Sequence, residues 1–217
     1  MVDILTDSQR LLLSKIAADP WFSNQFYFTG GTALSAFYLQ HRYSEDLDFF
    51  SEKRFDQLTV ETSLATWGKD LNFTFESFTF GDTQVFQLRF VSNEILKVDV
   101  TYFPFRRLSF GEKIDGVMVD SLVDIATNKL MTINQRTEIK DFVDLYFLLQ
   151  KFTIWDLFAG VETKYRQKFD LLITSSDLMK VEKFDYLPKM ILPLDLKTLK
   201  NFYRDLAKKI GSTAVTE

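Results

Sequence analysis

At 217 residues, 46% of them hydrophobic and 23 of them Phe, the chain has enough apolar material for one domain, or two intimate subdomains, with a large core. The absence of Cys excludes disulfides and thiolate metal sites, the single His41 excludes a multi-histidine zinc site, and no apolar run reaches the roughly 18 residues of a transmembrane helix. The net charge of −4 excludes polyanion binding by overall field: residues 1–110 hold 10 Lys+Arg against 14 Asp+Glu and residues 111–217 hold 16 of each, so a nucleic acid would need a local basic patch.

In chain order, Thr6 or Asp7 caps a first helix with Leu11, Leu12 and Ile16 on its apolar face, and Asp19-Pro20 ends it. The N-terminus has no signal-peptide layout, which with the missing cysteines predicts a cytoplasmic protein away from membranes. Residues 25–29 are aromatic and β-prone, Gly30-Gly31 breaks them, and Thr32 can cap the apolar run 33–39. Residues 47–50 resume as a strand. Asp46 and Asp48 flank Leu47 at i, i+2, so in a strand both project from one face. Acid-x-acid pairs alone mean little, since chance supplies about four in a chain this acidic. One short helix after a Gly-Gly turn, between two strands, the pair is far more specific. Two converging acids near a backbone that approaches phosphate closely are parts of a magnesium-dependent phosphoryl or nucleotidyl transfer site.

A second amphipathic helix follows over 55–69, broken at Gly68. The period then changes to two. Phe73, Phe75, Phe78 and Phe80 predict a strand with a core-facing aromatic row, Gly81-Asp82 a hairpin turn, 85–91 the return strand and 95–103 a third strand. On that third strand Leu96, Val98 and Val100 take one face and Lys97, Asp99 and Thr101 the other. Residues 104–116 connect to a short strand at 117–119. From Ser121, with Asp124 three residues on as a capping-box-like start, the period is helical. Leu122, Ile125, Ala126, Leu130 and Ile133 form an apolar stripe that also contains Lys129, a charge that needs a reason there. The next helix covers 138–150, and others 154–169, 176–184 and 196–210. His41 reads as a loop residue.

Gly30-Gly31-Thr32-Ala33-Leu34 followed by Arg42-Tyr43-Ser44-Glu45-Asp46-Leu47-Asp48-Phe49 resembles the first motif of the DNA polymerase β-like nucleotidyltransferases. With Lys129, Arg136 and Lys140-Asp141-Phe142-Val143-Asp144-Leu145 downstream, it resembles more closely the AbiEii/AbiGii toxins of abortive-infection, type IV toxin–antitoxin systems. The resemblance covers roughly residues 25–150 and implies an α+β fold: a polymerase β-like core with a mixed or antiparallel sheet over 1–119, and a helical lobe over 120–217 completing the active-site cleft. It implies Mg²⁺, or Mn²⁺ in its place, held by Asp46, Asp48 and Asp99, with Asp99 best placed to accept the nucleophile's proton. It implies nucleotide contacts from Gly30, Gly31, Thr32, Arg42, Ser44, Lys129, Arg136, Lys140, Asp141 and Asp144. It further implies transfer of NMP from a nucleoside triphosphate to RNA, such as a tRNA 3′ end, and a cognate antitoxin. Two other readings stay open: a small-molecule, antibiotic-type nucleotidyltransferase, and a non-catalytic nucleotide-binding interaction module.

Overall fold

In the computed structural model, which describes residues 4–216, helix α1 (Asp7–Ala18) opens with a reciprocal cap. The Gln9 N–H donates to the Thr6 hydroxyl at 3.2 Å and the Thr6 N–H to the Gln9 side-chain oxygen at 2.9 Å. Leu12, Leu13 and Ile16 are buried, whereas Leu11 faces solvent. Asp19 ends α1 and also caps a short helix α2 (Pro20–Gln25), with proline in its first turn. The sequence reading had no helix here. The first strand is correspondingly short, β1 (Tyr27–Thr29).

A single α-turn, α3 (Gly30–Ala33), continues as a π-helix over Leu34–Leu39. Thr32 is therefore inside the helix and not its cap. Strand β2 (Leu47–Ser51) buries Leu47, Phe49 and Ser51 and turns Asp48 and Phe50 the other way. Helix α4 (Gln57–Leu71) is not broken at Gly68; it runs on to Asn72, whose φ of 56° ends it. A Cβ at position 68 would lie 2.8 Å from the Phe73 carbonyl oxygen, so glycine here serves close packing.

Strands β3 (Phe73–Phe80), β4 (Thr83–Phe90) and β5 (Ile95–Tyr102) form the expected antiparallel meander. The sheet is mixed: β2 pairs antiparallel with β1 and parallel with β5, giving the order β1-β2-β5-β4-β3. The parallel pair needs a crossover, which α4 and the β3–β4 hairpin supply. The aromatic row of β3 is only partly core. Phe73 is buried, but Phe78 and Phe80 are exposed, because β3 is the sheet edge and its outer half outruns the cover. Phe86 and Leu88 on β4 and Leu96, Val98 and Val100 on β5 supply the core instead. A two-stranded ribbon, β6 (Lys113–Ile114) and β7 (Val117–Met118), follows.

The remainder is helical: α5 (Leu122–Gln135), α6 (Ile139–Leu148), α7 (Ile154–Tyr165), α8 (Leu171–Leu178) with a 3₁₀ turn at Met179–Lys183, and α9 (Leu196–Thr216). Asp124 does not complete a capping box. It is buried, accepts the N–H groups of Leu108 and Ser109 at 2.9 and 3.0 Å, and pairs with buried Lys164 at 2.6 Å. The chain divides into a sheet unit of Met1–Tyr38, Ser44–Arg106 and Phe110–Ser121, and a helical unit of Leu39–Tyr43, Arg107–Ser109 and Leu122–Glu217. Two short pieces upstream of residue 120 thus belong with the helices. Among the described residues no helix is long and apolar enough to cross a membrane.

Candidate active site

In the sheet unit the acids gather on one face of two adjacent parallel strands. Asp48 on β2 is the register partner of Asp99 on β5, so the two side chains rise side by side. Asp46 lies one residue before β2 and is partly exposed. The backbone beside them is shaped for Asp48. Gly30 has φ +76°, and a Cβ there would sit 2.1 Å from Asp48 Oδ2, so the carboxylate occupies the space that a side chain would take. The buried Thr32 hydroxyl donates to the Asp46 carbonyl oxygen, tying the glycine turn to the start of the acidic strand. Gly31 lies between them in α3. Ser44 is held through its carbonyl: the buried amide of Gln9 donates to the carbonyls of Ser44 and Glu45 at 3.2 and 2.9 Å, fixing the approach to Asp46.

The same face holds a cation of the chain's own. Lys97 Nζ lies 2.6 Å from Asp99 Oδ2. Burial works against the charge on Lys97, but the hydrogen bond and field of Asp99, with Asp46 and Asp48 beyond it, outweigh burial and raise its pKa above the usual lysine value. Carboxylate oxygens alone, with no thiolate or imidazole, make a donor set that suits a hard divalent cation such as Mg²⁺. As they stand, however, no three His, Cys, Asp or Glu side chains among the described residues are gathered tightly enough to enclose a metal ion. The donors fit the cation chemically, and Lys97 is the positive charge set among them.

One row further along the sheet, Thr29 is the register partner of Asp48. Its hydroxyl donates to Asp120 at 2.9 Å, and Asp120 also accepts the Ser121 N–H at 3.1 Å. Asp120 is thus a buried carboxylate with its hydrogen bonds satisfied within the fold.

In the helical unit the predicted nucleotide residues form a buried ion network. Asp144 on α6 is fully buried. Arg42 grips it with two bonds, Nε to Oδ1 at 2.6 Å and Nη2 to Oδ2 at 2.8 Å. His41 Nε2 lies 2.7 Å from Oδ1 and Lys129 Nζ 2.6 Å from Oδ2. Lys129 also donates to Asp141 at 2.9 Å, and Asp141 takes a second cation, Arg136, at 2.7 and 3.1 Å. Burial alone would raise the pKa of both aspartates. The field of Lys129, joined by Arg42 at Asp144 and by Arg136 at Asp141, reverses this and lowers both, Asp144 well below the usual carboxylate range. Burial presses Lys129 down, and Asp144 and Asp141 more than restore it. These two aspartates are the reason for a lysine within the apolar stripe of α5. Lys140 stands apart from the network, half-exposed and 3.4 Å from Glu138.

Sequence reasoning gave Lys97, Gln9 and Asp120 no role in the site and missed the buried role of His41. Only Lys97 left a signal, since its i, i+2 spacing puts it on the face of Asp99; the others depend on partners far away in the chain.

The comparisons with known proteins bear on this arrangement. The family model described as nucleotidyl transferase AbiEii toxin, type IV toxin–antitoxin system, matches residues 10–212. An uncharacterized protein from Aquifex aeolicus (strain VF5) is 33% identical over 179 residues, which is 79% of this chain and 81% of the relative. The fold is similar to that of JHP933 from Helicobacter pylori, at 21% identity and TM-score 0.61 over 98% of this chain and 95% of that one. It is similar also to that of MenT4, a nucleotidyltransferase toxin from Mycobacterium tuberculosis, at 16% identity and TM-score 0.58 over 94% of this chain and 82% of that one. With a family match spanning nearly its full length, the chain belongs to the AbiEii nucleotidyl transferase toxin family of type IV toxin–antitoxin systems.

Proposed function

We propose that this nucleotidyltransferase moves NMP from a nucleoside triphosphate to an RNA hydroxyl, with Mg²⁺ at Asp46, Asp48 and Asp99, and that a cognate antitoxin restrains it. The observation that carries the reading is the in-register pair Asp48–Asp99 on adjacent parallel strands, with Gly30 leaving room for the Asp48 carboxylate. In the transfer, the acceptor hydroxyl attacks the α-phosphorus and pyrophosphate leaves. Mg²⁺, when bound, supplies charge neutralisation of the triphosphate and of the developing oxyanions. Asp46, Asp48 and Asp99 would hold it. Asp99, beside Asp48, would accept the proton of the attacking hydroxyl. The Gly30-Gly31-Thr32 turn fixes the backbone next to the acids. Arg42, Ser44, Lys129, Arg136, Lys140, Asp141 and Asp144 are assigned to the nucleotide by the family resemblance. Of the cations among them, Arg136 and Lys140 are the more exposed and Arg42 and Lys129 the more buried.

The test is incubation of the full chain and of Asp48→Ala with each α-labelled nucleoside triphosphate, Mg²⁺ and total RNA. Wild type should label RNA, and Asp48→Ala should fall by at least about a hundredfold, the loss expected when an electrostatic contact to the reacting charge is removed. Label found only on small hydroxyl-bearing compounds would move the acceptor to the antibiotic-type class. No label with any nucleotide would leave a binding module.

A further inference from the structure

Four charged residues share one patch of the sheet. Lys97 and Asp99 are two apart on β5 and rise from the same face, with Lys97 Nζ 2.6 Å from Asp99 Oδ2. The parallel register sets Asp48 beside Asp99. Carried back two residues, one past the start of β2, the same register brings Asp46 towards Lys97, whose charge it supports. Three acids and one base therefore stand at the corners of a square: Asp46, Lys97, Asp99, Asp48. Directly across on β4, the register partners of Lys97 and Asp99 are the uncharged Gln87 and Val85.

Lys97 also has somewhere to go. Its side chain keeps 39% of its surface exposed, against 17% for Asp99. Lysine is a point charge on a flexible four-carbon stem, well suited to leaving one carboxylate for solvent. An ammonium and a divalent cation cannot both occupy the centre of this square, because they repel each other and draw on the same oxygens.

We propose that Lys97 is a resident counter-cation of the acidic site: its ammonium holds the place of a divalent cation among Asp46, Asp48 and Asp99, leaves Asp99 when the metal binds, and so sets the metal affinity. This rests on the reading that those three acids hold a divalent cation. Two consequences of opposite sign follow for one substitution. Without Lys97 the metal has no competitor, so it binds more tightly. Without Lys97 the metal-free protein also carries three clustered acids lacking their own cation, so it is less stable.

The test uses Mn²⁺ alone, with free ion counted by electron paramagnetic resonance and stability followed by thermal melting. Wild type, Lys97→Met, Lys97→Arg and Asp48→Asn are compared, with no nucleotide and no turnover. Lys97→Met should bind Mn²⁺ about tenfold more tightly than wild type, the effect of releasing one charge-assisted contact. It should melt below wild type in EDTA and gain more from Mn²⁺. Lys97→Arg, whose fork grips carboxylates more firmly, should bind Mn²⁺ more weakly than wild type and also serves should Lys97→Met fail to fold. Asp48→Asn should bind little. Mn²⁺ binding to Lys97→Met or to Lys97→Arg with wild-type affinity overturns the role of Lys97 and leaves the metal reading standing. No Mn²⁺ binding by wild type or by either Lys97 variant overturns both.

Discussion

Gly30 shows how a single missing side chain shapes the acidic patch. Its φ of +76° is open to glycine and strained for other residues, and the space above its Cα is taken by the Asp48 carboxylate. Gly30→Ala meets both obstacles. The backbone strain costs about 1–2 kcal/mol, and a methyl 2.1 Å from Asp48 Oδ2 must push the carboxylate aside. We expect melting to fall by several degrees and transferase activity to fall far more than stability explains, read by comparing Tm with the rate of label transfer. Activity close to wild type in a folded Gly30→Ala would show that the position of Asp48 does not matter. The glycine pair and the two acids were legible in the sequence because their relations are local: a turn, a short helix, an i, i+2 spacing. Arg42 and His41 were not, because their shared partner Asp144 lies more than a hundred residues on, and nothing in a local pattern says that a motif arginine will be spent on a buried aspartate.

The strands and helices were legible where the period was long and regular. The β3–β4–β5 meander, α1, α5 and α6 stand within a few residues of the periodicity that suggested them. The parallel pairing of β2 with β5 was not legible from pattern, since alternation fixes a face but not a neighbour. Nor was the exposure of the β3 aromatics: alternating Phe looks the same in a central strand and at an edge, and only the sheet order distinguishes them. The helix α2 hid behind Asp19-Pro20, which ends one helix and starts the next with the same two residues. The edge and the centre should respond very differently to truncation. Phe80, with 81% of its surface exposed, should tolerate Phe80→Ser within about 0.5 kcal/mol. Phe86 is fully buried, and Phe86→Ala should cost about 3–5 kcal/mol. Urea unfolding of both variants checks the pair, and equal losses would contradict the sheet order.

Stability as a function of pH should carry the signature of the network on Asp141 and Asp144. Both carboxyls have folded-state pKa values below the ordinary 3.8, Asp144 by the larger margin. A depressed carboxyl pKa means that the unfolded chain binds more protons in acid, so the contribution is complete above about pH 4 and is lost as pH falls through the folded values. Lys129 has the opposite sign: its pKa is raised above 10.5, so its contribution is complete below that value and is lost as pH climbs past it. The network therefore works at full strength across the neutral range and fails from both ends. Acid adds a second strain, because the chain passes below its pI of about 5.2 and gains net positive charge while its carboxylates are being neutralised. Asp144→Asn separates the two effects. It leaves the Arg42 guanidinium and the Lys129 ammonium buried with one carboxylate fewer, a loss of about 3–5 kcal/mol at pH 7. Below pH 4 the variant has less left to lose, so its stability should fall less steeply than that of wild type. Because the charges are buried, the loss at pH 7 should change little between low and moderate salt. Urea unfolding at steps from pH 7 to pH 3, with the m-value checked for constancy, reads all of this. Parallel curves for wild type and Asp144→Asn would mean that Asp144 is not ionised in the folded protein, and the network would then be held by neutral hydrogen bonds.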